Sequence, residues 1–280
     1  MISTASAPIG IFDSGYGGLT ILKEIRKALP QYDYIYLGDN ARAPYGTRSF
    51  DIVYRFTLES VKYLFSRGCR LVILACNTAS AKALRTIQQH DLPGIDPSRR
   101  VLGVIRPTVE RLGEYTKTGH IGIFGTPGTI QSESYNMEIS KLHPAYHTVG
   151  HACPMWVPLI ENGEGGSDGA DYFVRQEIYR LLDKDPAIDT IILACTHYPI
   201  LLDKIKRYVP EHIKLLTQGE IVANSLVDYL HRHTEMESRL HKSGDKQGRC
   251  TYLTSENSIK FSTMASLFLG NPVTATTIEI

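Results

Sequence analysis

Two cysteines stand in nearly the same context. Ile73-Leu74-Ala75-Cys76 recurs as Ile192-Leu193-Ala194-Cys195, and each copy ends an apolar, β-branched run. Small polar groups follow at once, Asn77-Thr78 after the first and Thr196-His197 after the second. A buried strand that stops at a thiol and then turns polar is how an open α/β sheet delivers a residue to a crevice. Two such strands deliver two thiols, which suits chemistry in which one group removes a proton and another returns it. A free thiol titrates at about 8.5 and needs a neighbour to tune it. His197 lies two residues beyond Cys195, and Asp13 would lie beside Cys76 if the first and third strands pair. Each could accept a proton from its cysteine or relay one to it. A lone cysteine ending a strand is usually buried filler. That reading is kept for Cys69, Cys153 and Cys250; the matched contexts set Cys76 and Cys195 apart.

The repeat that must position these thiols is wider than one tetrapeptide. Ile9-Gly10-Ile11-Phe12 recurs as Ile121-Gly122-Ile123-Phe124, each time ahead of a cysteine at similar spacing. Both copies run into small-residue turns, Asp13-Ser14-Gly15-Tyr16-Gly17-Gly18 and Gly125-Thr126-Pro127-Gly128-Thr129. The period is too long for a solenoid. It predicts two similar α/β lobes, each a mostly parallel sheet flanked by helices, with the site in the crevice between them. The expected lobes are 1–103 with 216–280, and 104–215.

The first turn offers backbone N–H groups at a helix start, which favour an anion such as a small carboxylate. The competing reading is a tight turn that Asp13 merely caps. Neither the dinucleotide glycine pattern nor a phosphate-binding Gly-x-x-x-x-Gly-Lys-Ser/Thr is present.

Thirty Lys and Arg against 29 Asp and Glu give a net charge of +1, so charge makes no case for nucleic acid or an anionic membrane. The apolar runs are far shorter than the roughly 20 residues of a membrane span. The first eight residues lack a basic stretch and a long apolar core, so no signal peptide is expected and the protein is expected to be soluble and cytoplasmic. Five widely spaced cysteines do not form a disulfide framework, and Cys195-x-His197 finds no further ligands at a metal-binding spacing.

Along the chain, strands are expected at 9–12, 34–37, 71–75, 101–105, 121–124, 191–194 and 215–216. Helices are expected at 19–29, 49–67 (stopped by Gly68), 80–90, 130–142, 172–182, 220–231 and 259–269. Residues 92–100 and 163–169 look like connectors, and 234–248 is a polar, flexible stretch. Strands alternating with helices argue for parallel sheets with right-handed crossovers.

Four phrases carry a resemblance: Gly10-Ile11-Phe12-Asp13-Ser14-Gly15, Gly38-Asp39-Asn40-Ala41-Arg42-Ala43-Pro44-Tyr45-Gly46, Ala75-Cys76-Asn77-Thr78-Ala79-Ser80 and Cys195-Thr196-His197-Tyr198-Pro199. In this order, over about two thirds of the chain, they closely resemble glutamate racemase; Gln218-Gly219 and the helix after it resemble that family as well. The resemblance implies a cofactor-independent racemase that interconverts L- and D-glutamate, supplying D-glutamate for peptidoglycan. It implies that Cys76 and Cys195 face opposite sides of the substrate Cα, one removing the α-proton as thiolate while the other donates one as thiol. It further implies that Asp13, Ser14, Tyr45, Gly46, Asn77, Thr78, Thr196 and His197 line the substrate site, that Asp13 and His197 assist the cysteines, and that Asp39 and Glu161 stand near. A homodimer is expected on the same ground, and neither metal nor cofactor.

The chemistry of the residues agrees. An amino-acid Cα–H is a very weak acid, and no pyridoxal-lysine motif is recognisable to act as an electron sink. The site must then stabilise a carbanion-like transition state with placed donors and by excluding water. Backbone N–H groups in the glycine loops and the Ser14, Thr78 and Thr196 hydroxyls are the candidate donors, and Asn77 is a candidate to hold the ammonium or a carboxylate. Arg106 receives no role. Three alternatives stay open: an aspartate racemase of the same superfamily, a cysteine-dependent lyase, hydrolase or decarboxylase that needs one thiol, and a non-catalytic glutamate-binding protein.

Overall fold

The computed structural model describes residues 7–243 and 247–280. Among the described residues ten strands form two all-parallel sheets. They are β1 (Ile9–Asp13), β2 (Tyr34–Gly38), β3 (Leu71–Leu74), β4 (Arg100–Gly103), β5 (His120–Gly125), β6 (His147–Ala152), β7 (Thr190–Ala194), β8 (Lys214–Leu216), β9 (Cys250–Thr254) and β10 (Ala275–Thr277). The first sheet has the order β10-β9-β2-β1-β3-β4 and the second β6-β5-β7-β8.

The sequence repeat is a structural repeat down to register. In the first sheet Ile11 pairs with Ile73 and Phe12 with Leu74. In the second, Ile123 pairs with Ile192 and Phe124 with Leu193. Each cysteine therefore leaves its sheet at an equivalent point, beside the strand that carries the repeated Ile-Gly-Ile-Phe. Both sheets are covered on two faces, which is why β1, β2, β3 and β7 are buried along their whole length. On the first sheet, Ile9, Ile11 and Ile73 pack with Leu22 and Ile25 of the helix Leu19–Ala28 and with Leu226 and Leu230 of the helix Gly219–Arg232. The opposite face carries Phe12, Val72 and Leu74 against Val61 and Leu64 of the helix Phe50–Ser66. On the second sheet, Val174, Ile178 and Leu181 of the helix Asp168–Lys184 cover one face and Tyr135 and Ile139 of the helix Ser134–Leu142 the other.

Gly68 ends the helix Phe50–Ser66 as expected. It takes φ +94°, which a side chain would resist.

Several expectations are corrected. The helix expected from residue 80 begins at Asn77, because the Cys76 side chain accepts the Ala79 N–H and acts as its cap. Helical turns then run on through Leu92–Ile95 into the expected connector, with Pro93 in a first turn where its missing N–H costs nothing. The strand expected at 101–105 ends at Gly103, and a helix, Ile105–Glu110, starts there. The helix expected at 130–142 is two, Pro127–Gln131 and Ser134–Leu142, parted at Glu133 with φ 55°. Ser167 caps a helix that starts at Asp168, so the expected loop at 163–169 is shorter. The stretch expected to be flexible folds into the helix Thr234–Glu237 and isolated bridges from Leu240 to Ala7 and from Lys242 to Tyr32. Residues 244–246 of that stretch, and residues 1–6 of the segment read for a signal peptide, lie outside the described residues. Among the described residues no helix is long and apolar enough to cross a membrane.

Candidate active site

The two thiols line one cavity of about 80 Å³, together with Ser14, Tyr45, Gly46, Asn77, Thr78, Thr196 and His197. Of the residues singled out in the sequence, Asp13, Asp39 and Gln218 are not in the cavity wall. Cys76 and Cys195 are each only 6% exposed, so both are buried in the cavity wall.

Each cysteine has a different companion. Ser14, one residue past β1, brings its Oγ to 3.4 Å from Cys76 Sγ. Cys195 Sγ lies 3.9 Å from His197 Nδ1, and His197 Nε2 lies 2.9 Å from Glu161 Oε1. Glu161 ends the helix Trp156–Glu161 and shares the cavity wall. Strand pairing puts Asp13 beside the Cys76 strand, as expected, but its carboxylate does not reach the sulfur by hydrogen bond. Its Oδ2 accepts the Gly15 N–H at 2.9 Å and its Oδ1 accepts the Thr196 hydroxyl at 3.5 Å. Within the turn at 13–18 the Asp13 carboxylate thus takes the Gly15 N–H.

Burial pushes the Cys76 thiol up to about 12, and the nearby Asp13 carboxylate adds to that; the Ser14 hydroxyl and the Ala79 N–H pull the other way by hydrogen-bonding a thiolate. Asp13 itself is raised, chiefly by burial, against the pull of His197. For His197, burial favours the neutral ring, but the hydrogen bonds and charges of Cys195 and Glu161 outweigh it and raise its pKa. His197, held toward its protonated form, thus stands between Glu161 and Cys195, while burial disfavours the thiolate of Cys76 and two donors stand beside that sulfur.

That pair has a measurable consequence for stability. The folded imidazole titrates above its unfolded value of 6.5, so its charge stabilises the fold fully below pH 6.5; the gain is lost as pH rises to about 10. Between those limits the melting temperature of the native protein should fall more steeply than that of His197→Asn, read by calorimetry. Parallel curves would show that His197 is neutral throughout.

Asp39 is fully buried behind Tyr45. It accepts hydrogen bonds from the Tyr45 hydroxyl, from Arg42 Nε at 2.7 Å and from the Ser255 hydroxyl at 2.7 Å, and so fixes Tyr45 in the wall. The lobes touch around the cavity. Thr20 donates to the Thr196 carbonyl at 3.0 Å, the Gly128 N–H donates to the Gly46 carbonyl at 2.7 Å, and the Thr78 and Thr126 hydroxyls meet at 3.0 Å.

Thr126 and Cys153 also line the cavity and escaped the sequence reading. The repeat held the signal for Thr126, which stands two residues after Phe124 as Ser14 stands two after Phe12. Nothing marked Cys153, read as filler; burial holds its thiol well above the usual range. A larger cavity of about 640 Å³, bordered by Lys82, Arg106, Glu138 and Tyr229, touches neither Cys76 nor Cys195. Among the described residues no group of three or more His, Cys, Asp or Glu is arranged to hold a metal ion.

Residues 18–226 match the family described as Asp/Glu/Hydantoin racemase. The chain is 40% identical to a glutamate racemase of Geobacter metallireducens over 94% of its own length and 92% of that protein. Among solved structures, a glutamate racemase isoform from Bacillus anthracis superposes with a TM-score of 0.88 at 33% identity, and 98% of both chains is covered. The glutamate racemase of Francisella tularensis, solved in complex with D-glutamate, gives 0.86 at 29% identity and the same coverage.

Proposed function

The chain belongs to the Asp/Glu/Hydantoin racemase family, and on that premise we propose that it interconverts L- and D-glutamate without a cofactor, through Cys76 and Cys195. One observation carries the reading: two buried cysteines, delivered from register-matched strands of two similar sheets, line one cavity. The lobes are taken as 1–103 with 216–280, and 104–215. Homodimer formation, a cytoplasmic location and supply of D-glutamate to peptidoglycan are proposed from the family resemblance alone.

In one direction, a thiolate on one cysteine takes the α-proton and becomes a thiol. The electron pair left on Cα takes a proton from the other cysteine on the opposite face, leaving a thiolate there. The product is the enantiomer, and the two sulfurs have exchanged protonation states. The reverse reaction starts from that exchanged state, or solvent restores the first. His197 is the group placed to move a proton on or off Cys195, backed by Glu161. Ser14 and the Ala79 N–H stabilise negative charge on Cys76, and Asp13 bears on that thiol through its field. Exclusion of water strengthens each of these interactions at the moment carbanion character develops.

The test is circular dichroism of L-glutamate and, separately, L-aspartate, with EDTA and no added cofactor. The L-glutamate signal should decay to zero while L-aspartate is unchanged. Decay with aspartate alone would make this an aspartate racemase; no decay with either would favour a one-thiol enzyme or a binding protein.

A further inference from the structure

Asn77 follows Cys76 and lines the cavity. Behind the wall lies a closed ring of hydrogen bonds. Asn77 Nδ2 donates to Gln218 Oε1 at 2.6 Å, Gln218 Nε2 donates to the Tyr135 hydroxyl at 2.8 Å, and that hydroxyl donates to Asn77 Oδ1 at 2.7 Å. All three side chains are buried, Asn77 at 2%, Tyr135 at 3% and Gln218 at 3% exposure.

The direction of the ring is set from outside it. The Thr108 hydroxyl spends its proton on the Val104 carbonyl at 2.7 Å, so it can only accept from Gln218 Nε2, which lies 2.8 Å away. The same carbonyl lies 3.4 Å from Gln218 Nε2 and would repel an oxygen there. Gln218 must therefore turn its nitrogen to Thr108 and its oxygen to Asn77. Asn77 must answer with its nitrogen. The ring leaves Asn77 one N–H and one carbonyl lone pair, both in a fixed orientation.

We propose that Tyr135 and Gln218 are positioning residues that lock the Asn77 amide, so that its remaining N–H donor is held ready for substrate. This rests on the reading of the Cys76 cavity as the glutamate site. The ring also crosses the lobe junction: Asn77 comes from the helix after β3, Tyr135 from a helix of the second lobe and Gln218 from the start of the helix Gly219–Arg232. The lock therefore closes only when the lobes are in place.

A double-mutant cycle tests it. Tyr135→Phe should lower kcat/KM for L-glutamate about ten-fold, the scale of a buried hydrogen bond lost beside an unsatisfied partner. If Tyr135 acts through Asn77, then Asn77→Ala/Tyr135→Phe should match Asn77→Ala within about two-fold, since nothing remains to position. A double variant as slow as the product of the two single losses would overturn the proposal, because Tyr135 would then act independently of Asn77. Should Tyr135→Phe not fold, Gln218→Met is used in the same cycle with the same criteria. A second readout needs no activity. The Asn77 side-chain proton bonded to Gln218 should exchange slowly with solvent by NMR and faster in Tyr135→Phe; fast exchange of that proton in the native protein would overturn the lock. A native protein that fails to racemise glutamate yet shows slow exchange would sink the functional reading and leave the ring standing.

Discussion

Cys76→Ala and Cys195→Ala should each slow racemisation by roughly 10³-fold or more, in both directions, the scale on which placed acids and bases contribute to catalysis. Each direction needs a base on one face of Cα and an acid on the other, and removing either sulfur leaves one half of the transfer undone. The losses should not multiply. The double variant should be about as slow as either single one, as for groups that act as a unit. Binding should survive, because a methyl group in place of a thiol leaves Ser14, Asn77, Thr78 and Thr196 in the wall. Turnover by circular dichroism and affinity by calorimetric titration separate the two effects. A single variant that keeps more than about a tenth of native turnover in both directions would show that one thiol suffices.

Gly17→Ala should also be strongly damaging, although Gly17 has no side chain to contribute to the chemistry. A Cβ built there would lie 2.2 Å from Thr196 Oγ1, 2.4 Å from His197 Nδ1 and 2.7 Å from His197 Cε1. Gly17 is the point at which the turn after β1 meets the turn that carries Cys195, and the close approach leaves no room for a methyl group. The second lobe must shift or the imidazole must turn away from its thiol. A misplacement near 1 Å can cost about 10²-fold in rate, and overpacking typically costs about 1–3 kcal/mol in stability. We expect kcat to fall by about 10²-fold while the variant remains folded at 25 °C, checked by turnover and thermal denaturation. Native kcat in Gly17→Ala would mean that the two turns do not meet in the working enzyme.

Much of this architecture can be read from the repeated phrases, because parallel buried strands carry a dense apolar signal and the repeat fixes their common register. The prediction that β1 and β3 pair, and so bring Asp13 beside Cys76, holds for that reason. Other features leave weaker marks. β9 pairs with β2 across more than 200 residues of chain, which no local pattern announces. The helices Ile105–Glu110 and Trp156–Glu161 are too short to show a period, and each contains a proline that reads as a breaker, Pro107 and Pro158. Without the second of them Glu161 has no evident route to His197, and only the family resemblance brought it forward. Cys76 as a helix cap lies outside the usual Ser, Thr, Asp and Asn preference, so the helix start was expected three residues late. The ring of Asn77, Gln218 and Tyr135 joins residues far apart in the chain; Asn77 and Gln218 stand in recognisable phrases, but nothing in the sequence links them or marks Tyr135.

The most direct test of two-thiol racemisation is isotope placement at Cα. L-glutamate is incubated with the protein in heavy water, and both enantiomers are separated and weighed by mass spectrometry at low conversion. With separate sulfurs on the two faces, the proton removed from L-glutamate stays on one thiol while a deuteron arrives from the other. D-glutamate should then carry deuterium at Cα from the first turnovers, and the remaining L-glutamate should still carry protium. Protium in the early D-glutamate, or deuterium entering both enantiomers equally, would mean that a single group serves both faces, and the assignment of Cys76 and Cys195 as an opposed pair would be wrong.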